Sequence, residues 1–306
     1  MSATLGTMID ETLINLAGYT INQDRSTYLT AAVTALTSPS SNPTILSLHS
    51  TDNLGKGIIE VDNELMWVDS FDRIANTATI APYGRGYLGT TASTHGVDAK
   101  VTISPTFPRS AVTKAINDTI GAMGSSITAV KQTTFTWNAA VNTYAFNNLG
   151  IENILRMMWQ DIGPSEEWIN IRRWDFDPFA DTTTWGAGAQ TVTIYDYITA
   201  GRTVKVMYAT EPSTMSSESN VFTTTTGLSA SCRDVVTLGA AYRLISYLDP
   251  ARVSQTSPQA DELDSKRPFG SSANVTKQLY ALYTQRLAEE TSRQQAQFPP
   301  RVHYTR

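Results

Sequence analysis

The chain has few of the residues on which most recognisable chemistries depend. It contains one cysteine, Cys232, and three histidines in 306 residues, and its charged fraction is 17%, against about 25% in an ordinary soluble domain. One cysteine excludes an internal disulfide and a thiolate metal cage, and fits folding in a reducing cytoplasm. The net charge of -5 argues against a free nucleic-acid binder that works by neutralising phosphates. No apolar run approaches the ~18 residues that would span a bilayer. Met1–Ala17 carries Asp10 and Glu11 and lacks a basic start, so it is not expected to act as a signal peptide.

Small polar residues fill the gap. The 43 threonines, including the runs 182–184 and 223–226, favour strands, because branching at Cβ stiffens χ1. With 41% hydrophobic residues, real cores can be buried. The expected class is α+β, and the chain reads as six segments. Residues 1–40 are a helical part, with Leu5, Met8, Ile9, Leu13, Leu16 and Ala17 near one face of a helix over 4–17; within it, 19–36 reads either as a short hairpin around Asp24-Arg25 or as a second helix. A small antiparallel β module fills 41–108, with strands at 44–48, 57–61, 65–68, 77–80 and 99–103. A connecting helix lies within 109–130; Ser110 is its expected cap, and Val112, Ile116, Ile120 and Met123 form one stripe. A β-sandwich of jelly-roll type occupies 131–227, with Trp159, Trp168, Trp174 and Phe176 as core side chains. Helices capped at Ser229 or Ser231 and running over about 273–295 make up 228–297, with a polar linker over 250–272. The tail 298–306 should be extended, because Pro299 and Pro300 fix φ and lack donors.

Candidate chemistry is sparse. Gly84-Arg85-Gly86-Tyr87-Leu88-Gly89 matches a dinucleotide fingerprint, but Thr90–Gly96 is a poor helix opening, and without a helix there is no row of free N–H groups for a pyrophosphate. Among the histidines, His49 has Asp52 nearby and His95 has Asp98, yet no two histidines stand at i, i+4, so no metal site is expected. Asp175 and Asp177 could share a strand face as a glycosidase pair, although Pro178 makes a turn the better reading. Cys232 lies among apolar residues, where burial is the expectation. No nucleophile elbow is present. No enzyme activity and no cofactor are expected.

A longer pattern is more specific. Gly57–Val68, Gly-Ile-Ile-Glu-Val-Asp-Asn-Glu-Leu-Met-Trp-Val, is followed by Arg85, Gly86, Gly89, Thr90, Ala92 and His95 in the arrangement R-G-x-x-G-T-x-A-x-x-H, then by an apolar strand and Pro108-Arg109-Ser110. Over residues 44–124 the chain resembles tailed-bacteriophage virion proteins of the head-to-tail adaptor type. Physically, Gly86 and Gly89 permit positive φ, Thr90, Thr91 and His95 can bond loop backbone, and Arg85 can clamp a carboxylate, Glu60 or Glu64. The motif Arg85, Gly86, Gly89, Thr90 and His95 then stabilises a loop.

The resemblance implies a subunit of a head-to-tail connector, whose helices form the body of a closed, usually twelvefold ring below the portal. The implied partners are copies of the chain, the portal protein, tail or neck proteins, and genomic DNA that passes without sequence-specific contact; no membrane is involved. The implied place is the neck or tail of a virion assembled in host cytoplasm. Phe298, Pro299, Pro300, Arg301 and Tyr304 are candidate contacts between subunits. The alternatives are a tail or baseplate component, a carbohydrate-binding virion module using the aromatics of 131–210, and a glycan hydrolase using Asp175 and Asp177.

Overall fold

Short threonine- and valine-rich runs become strands, and longer apolar stripes become helices. The computed structural model describes residues 3–16, 25–36, 42–161, 167–248 and 271–299. Its class is mixed α and β with several antiparallel sheets. The chain divides into two compact units, each described here by itself.

The first unit comprises the described residues within Gly6–Ile116 and Thr237–Ala281. Its sheet has six strands: β1 (Arg25–Tyr28), β2 (Thr44–Ser47), β3 (Gly57–Val61), β4 (Glu64–Asp72), β5 (Thr77–Ile80) and β6 (Lys100–Ile103). Their order is β1-β6-β3-β4-β5-β2, with antiparallel pairing throughout. The two edge strands are joined by a bridge between Leu29 and Leu48, where Thr30 N donates to Ser47 O and His49 N to Tyr28 O. Leu29, Leu46, Ile59, Val61, Met66, Val68, Ile80 and Val101 form a core sealed from water. Alternation explains the choice: in β5 and β6 every second residue is buried. The helix expected over 4–17 is α1 (Leu5–Asn15); of the two readings of 19–36 the described part is extended, since Arg25–Tyr28 is a strand in which Thr27 and Leu29 alternate inward between exposed neighbours. Gly18 and the start of the 19–36 segment fall outside the described residues.

Helix α2 (Arg109–Met123) buries its expected stripe of Val112, Ile116, Ile120 and Met123 completely. Ser110 is not its cap. The helix begins one residue earlier, and the buried carboxylate of Glu60 accepts from Arg109 N at 2.6 Å, a negative group at the positive end of the helix.

The second unit comprises the described residues within Met1–Leu5, Asn117–Val236 and Leu282–Arg306. One sheet holds β7 (Ala129–Thr136), β9 (Asn153–Gln160), β10 (Trp168–Asn170) and β13 (Thr203–Thr210) in the order β10-β9-β13-β7. The other holds β8 (Thr143–Asn147), β11 (Trp174–Asp177) and β12 (Ala189–Ile194) in the order β11-β12-β8. Side chains from both sheets meet in one cluster that includes Trp137, Phe146, Met157, Trp174, Val192, Ile194, Val204 and Val206. Trp159 and Phe176 pack against it, but Trp168 does not belong to it. Trp168 lies on the edge strand, with the ammonium of Lys205 3.9 Å from its ring centre, where a cation and an aromatic face attract. The short helices α3 (Thr182–Trp185) and α4 (Phe222–Thr226) lie in connections.

Helix α5 (Arg233–Leu248) follows a short 3₁₀ turn, and the side chain of Ser229 makes no capping bond. Helix α6 (Ser271–Gln297) is longer than the expected 273–295. Phe298 does not open an extended tail: its amide still donates to Gln294 O at 2.9 Å, continuing the helical ladder. Pro299 is exposed. Pro300, Arg301 and Tyr304 lie outside the described residues, as does nearly all of the expected 250–272 linker.

Two isoleucines of the six-stranded unit provide a test of this packing. Ile59 is fully buried, and Ile74 is 97% exposed in a turn. Ile59→Ala should lower unfolding free energy by about 2–5 kcal/mol, and Ile74→Ala by less than about 0.5 kcal/mol, measured by denaturant titration.

Candidate functional site

The sequence brings Asp62-Asn63-Glu64 to the tight turn between β3 and β4, and the Arg85–His95 loop crosses above it. Glu64 is completely buried at the first residue of β4. Its two oxygens are surrounded by donors. Arg85 reaches them as a fork, Nε to Oε1 at 2.6 Å and Nη2 to Oε2 at 2.9 Å. Gly86 N donates to Oε1 at 2.9 Å, Ser93 N to Oε2 at 2.9 Å, and His95 Nε2 stands 2.9 Å from Oε2. His95 Nδ1 lies 2.7 Å from Asp62 Oδ2. A ring nitrogen on each of two carboxylates describes a doubly protonated imidazolium, so two positive and two negative groups close the cluster.

The cluster also binds backbone. Arg85 donates through Nη1 to Thr34 O at 3.2 Å and through Nη2 to Ser93 O at 2.7 Å. His95 exchanges both backbone hydrogen bonds with Val33. Thr90 Oγ1 accepts from Leu65 N and donates to Tyr87 O. Of the two possible partners expected for Arg85, Glu64 is the one chosen, while Glu60 turns to α2. Gly86 and Gly89 do adopt positive φ, 64° and 82°, and a Cβ at Gly86 would meet Thr90 O at 2.8 Å. Thr91 is exposed; Thr94 takes the loop role instead, its Oγ1 accepting from Ala35 N.

Electrostatics follow the contacts. Burial raises the pKa of Glu64, but the bonds from His95, Arg85, Ser93 N and Gly86 N outweigh it and bring the value from 4.5 to about 2. Burial lowers that of His95, yet the bonds and charges of Glu64 and Asp62 win, and it rises above 6.5. This arrangement is closed. Every oxygen of Glu64 is engaged by loop or side-chain donors, and Arg85 and His95 are almost sealed from solvent.

The other sequence candidates do not join it. Neither expected histidine pairing forms: His49 stands 3.7 Å from Asp98, both exposed, Asp52 bonds Ser50, and His95 bonds Asp62 and Glu64. Asp175 and Asp177 lie on the exposed side of β11, where Asp177 accepts from Phe179 N at 2.9 Å in a local turn. Cys232 is buried, which raises its thiol pKa; with Ile127, Leu228, Glu290 and Phe298 it lines a cavity of about 290 Å³. Among the described residues no group of three or more His, Cys, Asp or Glu is arranged to hold a metal ion, and no helix is long and apolar enough to cross a membrane. The chain matches no protein-family model and no curated protein.

The contribution of Thr34 is legible in the sequence only as the period-two burial of Thr27 and Leu29, which is too short a signal to bring residue 34 to Arg85.

The cluster sets a pH window. Glu64, lowered in the folded state, adds stability above about 4.5 that disappears as pH falls toward 2; His95, raised in the folded state, adds stability below 6.5 that disappears as pH rises through its folded value. Both contribute fully between these limits. Glu64→Gln should cost about 3–5 kcal/mol, because it leaves buried cations without their anion, and should flatten the acid limb of a melting-temperature profile; an unchanged acid limb would contradict the assignment.

Proposed function

We propose that the chain is a structural subunit of a bacteriophage head-to-tail connector, a ring below the portal that conducts DNA and receives tail components. The observation that supports this best is the loop beside the closed cluster. Tyr83 and Leu88 flank Arg85. Both have positive φ, 58° and 53°, a conformation that costs an L-residue with a large side chain about 1–3 kcal/mol. Both are apolar and exposed, 65% and 70%. A strained loop beside a buried ionic clamp, carrying two exposed hydrophobic tips, suits a docking surface, since residues held in sparsely populated backbone conformations cluster at functional sites.

The motif resemblance supplies the particular assembly. In that reading the six-stranded sheet, whose edges meet at Leu29 and Leu48, is the small barrel of the adaptor module. The two-sheet unit is its jelly-roll-like sandwich. The helices α2, α5 and α6 form the ring body. The low charge and hydroxyl-rich composition suit surfaces covered by neighbours, and the mild acidity of the chain suits a conduit that does not hold passing DNA. Phe298 and the residues after it remain candidate contacts between subunits. A tail or baseplate position is the second reading, since the same exposed loop tips would serve any ring of the particle.

Electron cryomicroscopy of the virion that carries this chain tests the proposal. A closed ring of the chain between portal and tail is the expected result, with a mass near twelve times the 33.4 kDa protomer. Leu88→Ser with Tyr83→Ser should lower ring occupancy at least tenfold without lowering the melting temperature of the purified chain. Absence of the chain from the particle would overturn the assignment, and density elsewhere in the tail would move it to the second reading.

A further inference from the structure

A second charged group in the molecule is built in the opposite way from Arg85. Strands β7 and β13 pair with Thr136 opposite Thr203. One step beyond, Trp137 N donates to Arg202 O at 2.7 Å and Gly201 N to Trp137 O at 2.8 Å. Trp137 and Arg202 are therefore cross-strand neighbours. Period-two alternation puts Arg202 on the side of Val204 and Val206, both fully buried in the core that Trp137 also joins. A guanidinium thus sits at the end of an apolar face.

Arg202 is half-buried, and two of its three guanidinium nitrogens are sealed and unmet. Nε and Nη1 of Arg202 and Nε1 of Trp137 are buried and have no hydrogen-bond partner among the described residues. Arginine does not discharge by losing its proton, and sealed donors of a cation left without an acceptor are costly. Among the described residues, Tyr144, Asp196 and Asp161 do not supply one. The Tyr144 hydroxyl, on the ring stacked 5.3 Å from Trp137, is engaged with the N and O of Asn138. Asp196, in the β12–β13 connection, accepts from Arg172 N, Arg173 N and Arg173 Nε. Asp161, which the register of β9 on β13 places level with Arg202, has a partner of its own.

We propose that this end of the two-sheet unit binds a carboxylate, held by Arg202 and the Trp137 indole N–H. One carboxylate brings one negative charge and several acceptor lone pairs, matching one cation and its unmet donors. A phosphate dianion would carry a surplus charge into an apolar surround. Tyr195 and Tyr197 on the adjoining connection are 55% and 92% exposed and offer apolar surface to the rest of such a ligand. The carboxylate comes from a small molecule or from an acidic side chain of a second copy. The inference stands apart from the connector reading.

The indole N–H of Trp137 is the reporter. In nuclear magnetic resonance spectra of the ¹⁵N-labelled full chain, Trp137→Phe identifies its signal among those of the six tryptophans. Sodium acetate should move that signal saturably, while sodium chloride and sodium phosphate at equal ionic strength leave it in place. Arg202→Gln should cut the response at least fivefold. If that variant misfolds, Arg202→Lys, which keeps the charge and lacks the Nε donor, should weaken acetate binding instead. Movement with protein concentration in acetate-free buffer identifies a second copy as the source, and movement with acetate alone a small molecule. A signal that ignores both acetate and protein concentration, one that responds equally to phosphate or chloride, or one whose response is undiminished in whichever Arg202 variant folds would overturn the proposal.

Discussion

The buried carboxylate of Glu64 is the constraint on which the motif loop depends. Five donors from four residues converge on two oxygens, and these donors come from both ends of a loop that contains little apolar anchor of its own. A charge so deep is stable only when fully compensated, so the loop has essentially one arrangement in which its backbone N–H groups, Arg85 and His95 reach Glu64 together. The positive φ of Gly86 is part of that arrangement. Tyr83 and Leu88 take their positive φ in short local turns of the same loop, closed by Gly84 N to Ala81 O and by Thr90 N to Tyr87 O.

Elsewhere the chain fastens its connections with neutral groups, as its low charge requires. Three carboxamides each bracket a backbone residue with both a donor and an acceptor. Asn117 binds Met215 N and O, Gln190 binds Ile151 N and O, and Gln294 binds Thr128 N and O. Threonine hydroxyls do similar work within helices, as Thr12 does on Met8 O and Thr226 on Phe222 O. A neutral amide imitates a peptide and so completes a backbone ladder without the desolvation cost of an ion. This gives a physical reason for a polar, threonine-rich composition with only 17% charged residues.

The legible and illegible parts of the fold divide along sequence distance. Strand positions in 44–103 and the stripe of α2 rest on local periodicity, and they appear within a residue or two of expectation, except that β4 extends on to Asp72. The partner of Arg85 was narrowed to Glu60 or Glu64, because both lie on the turn-flanking strands; side-chain alternation cannot decide between two buried acids. What decides is that Glu60 faces the N-terminus of α2, 49 residues away. The change of histidine partners has the same origin. Proximity in sequence suggested Asp52 for His49 and Asp98 for His95, but β1 pairing with β6 and the bridge from Leu29 to Leu48 bring His49 to Asp98, leaving His95 to Asp62. Ser110 and Ser229 failed as caps because tertiary acceptors and a preceding 3₁₀ turn replaced local capping.

Two arginines then separate folding from recognition. Arg85 and Arg202 both carry a guanidinium into an apolar setting, and neither can lower its cost by losing a proton. Arg85, on the loop, meets Glu64 at the start of β4, so its energy is recovered within the chain and its role ends in structure. Arg202 lies on the strand face of Val204 and Val206 and opposite Trp137, and Asp196 and Asp161 are engaged with other groups. The same physical rule that makes the first arrangement closed makes the second one incomplete, because sealed donors of a cation need an acceptor from somewhere. Sealed guanidinium nitrogens beside an unmet indole N–H point outward, to an anion that the described residues do not supply.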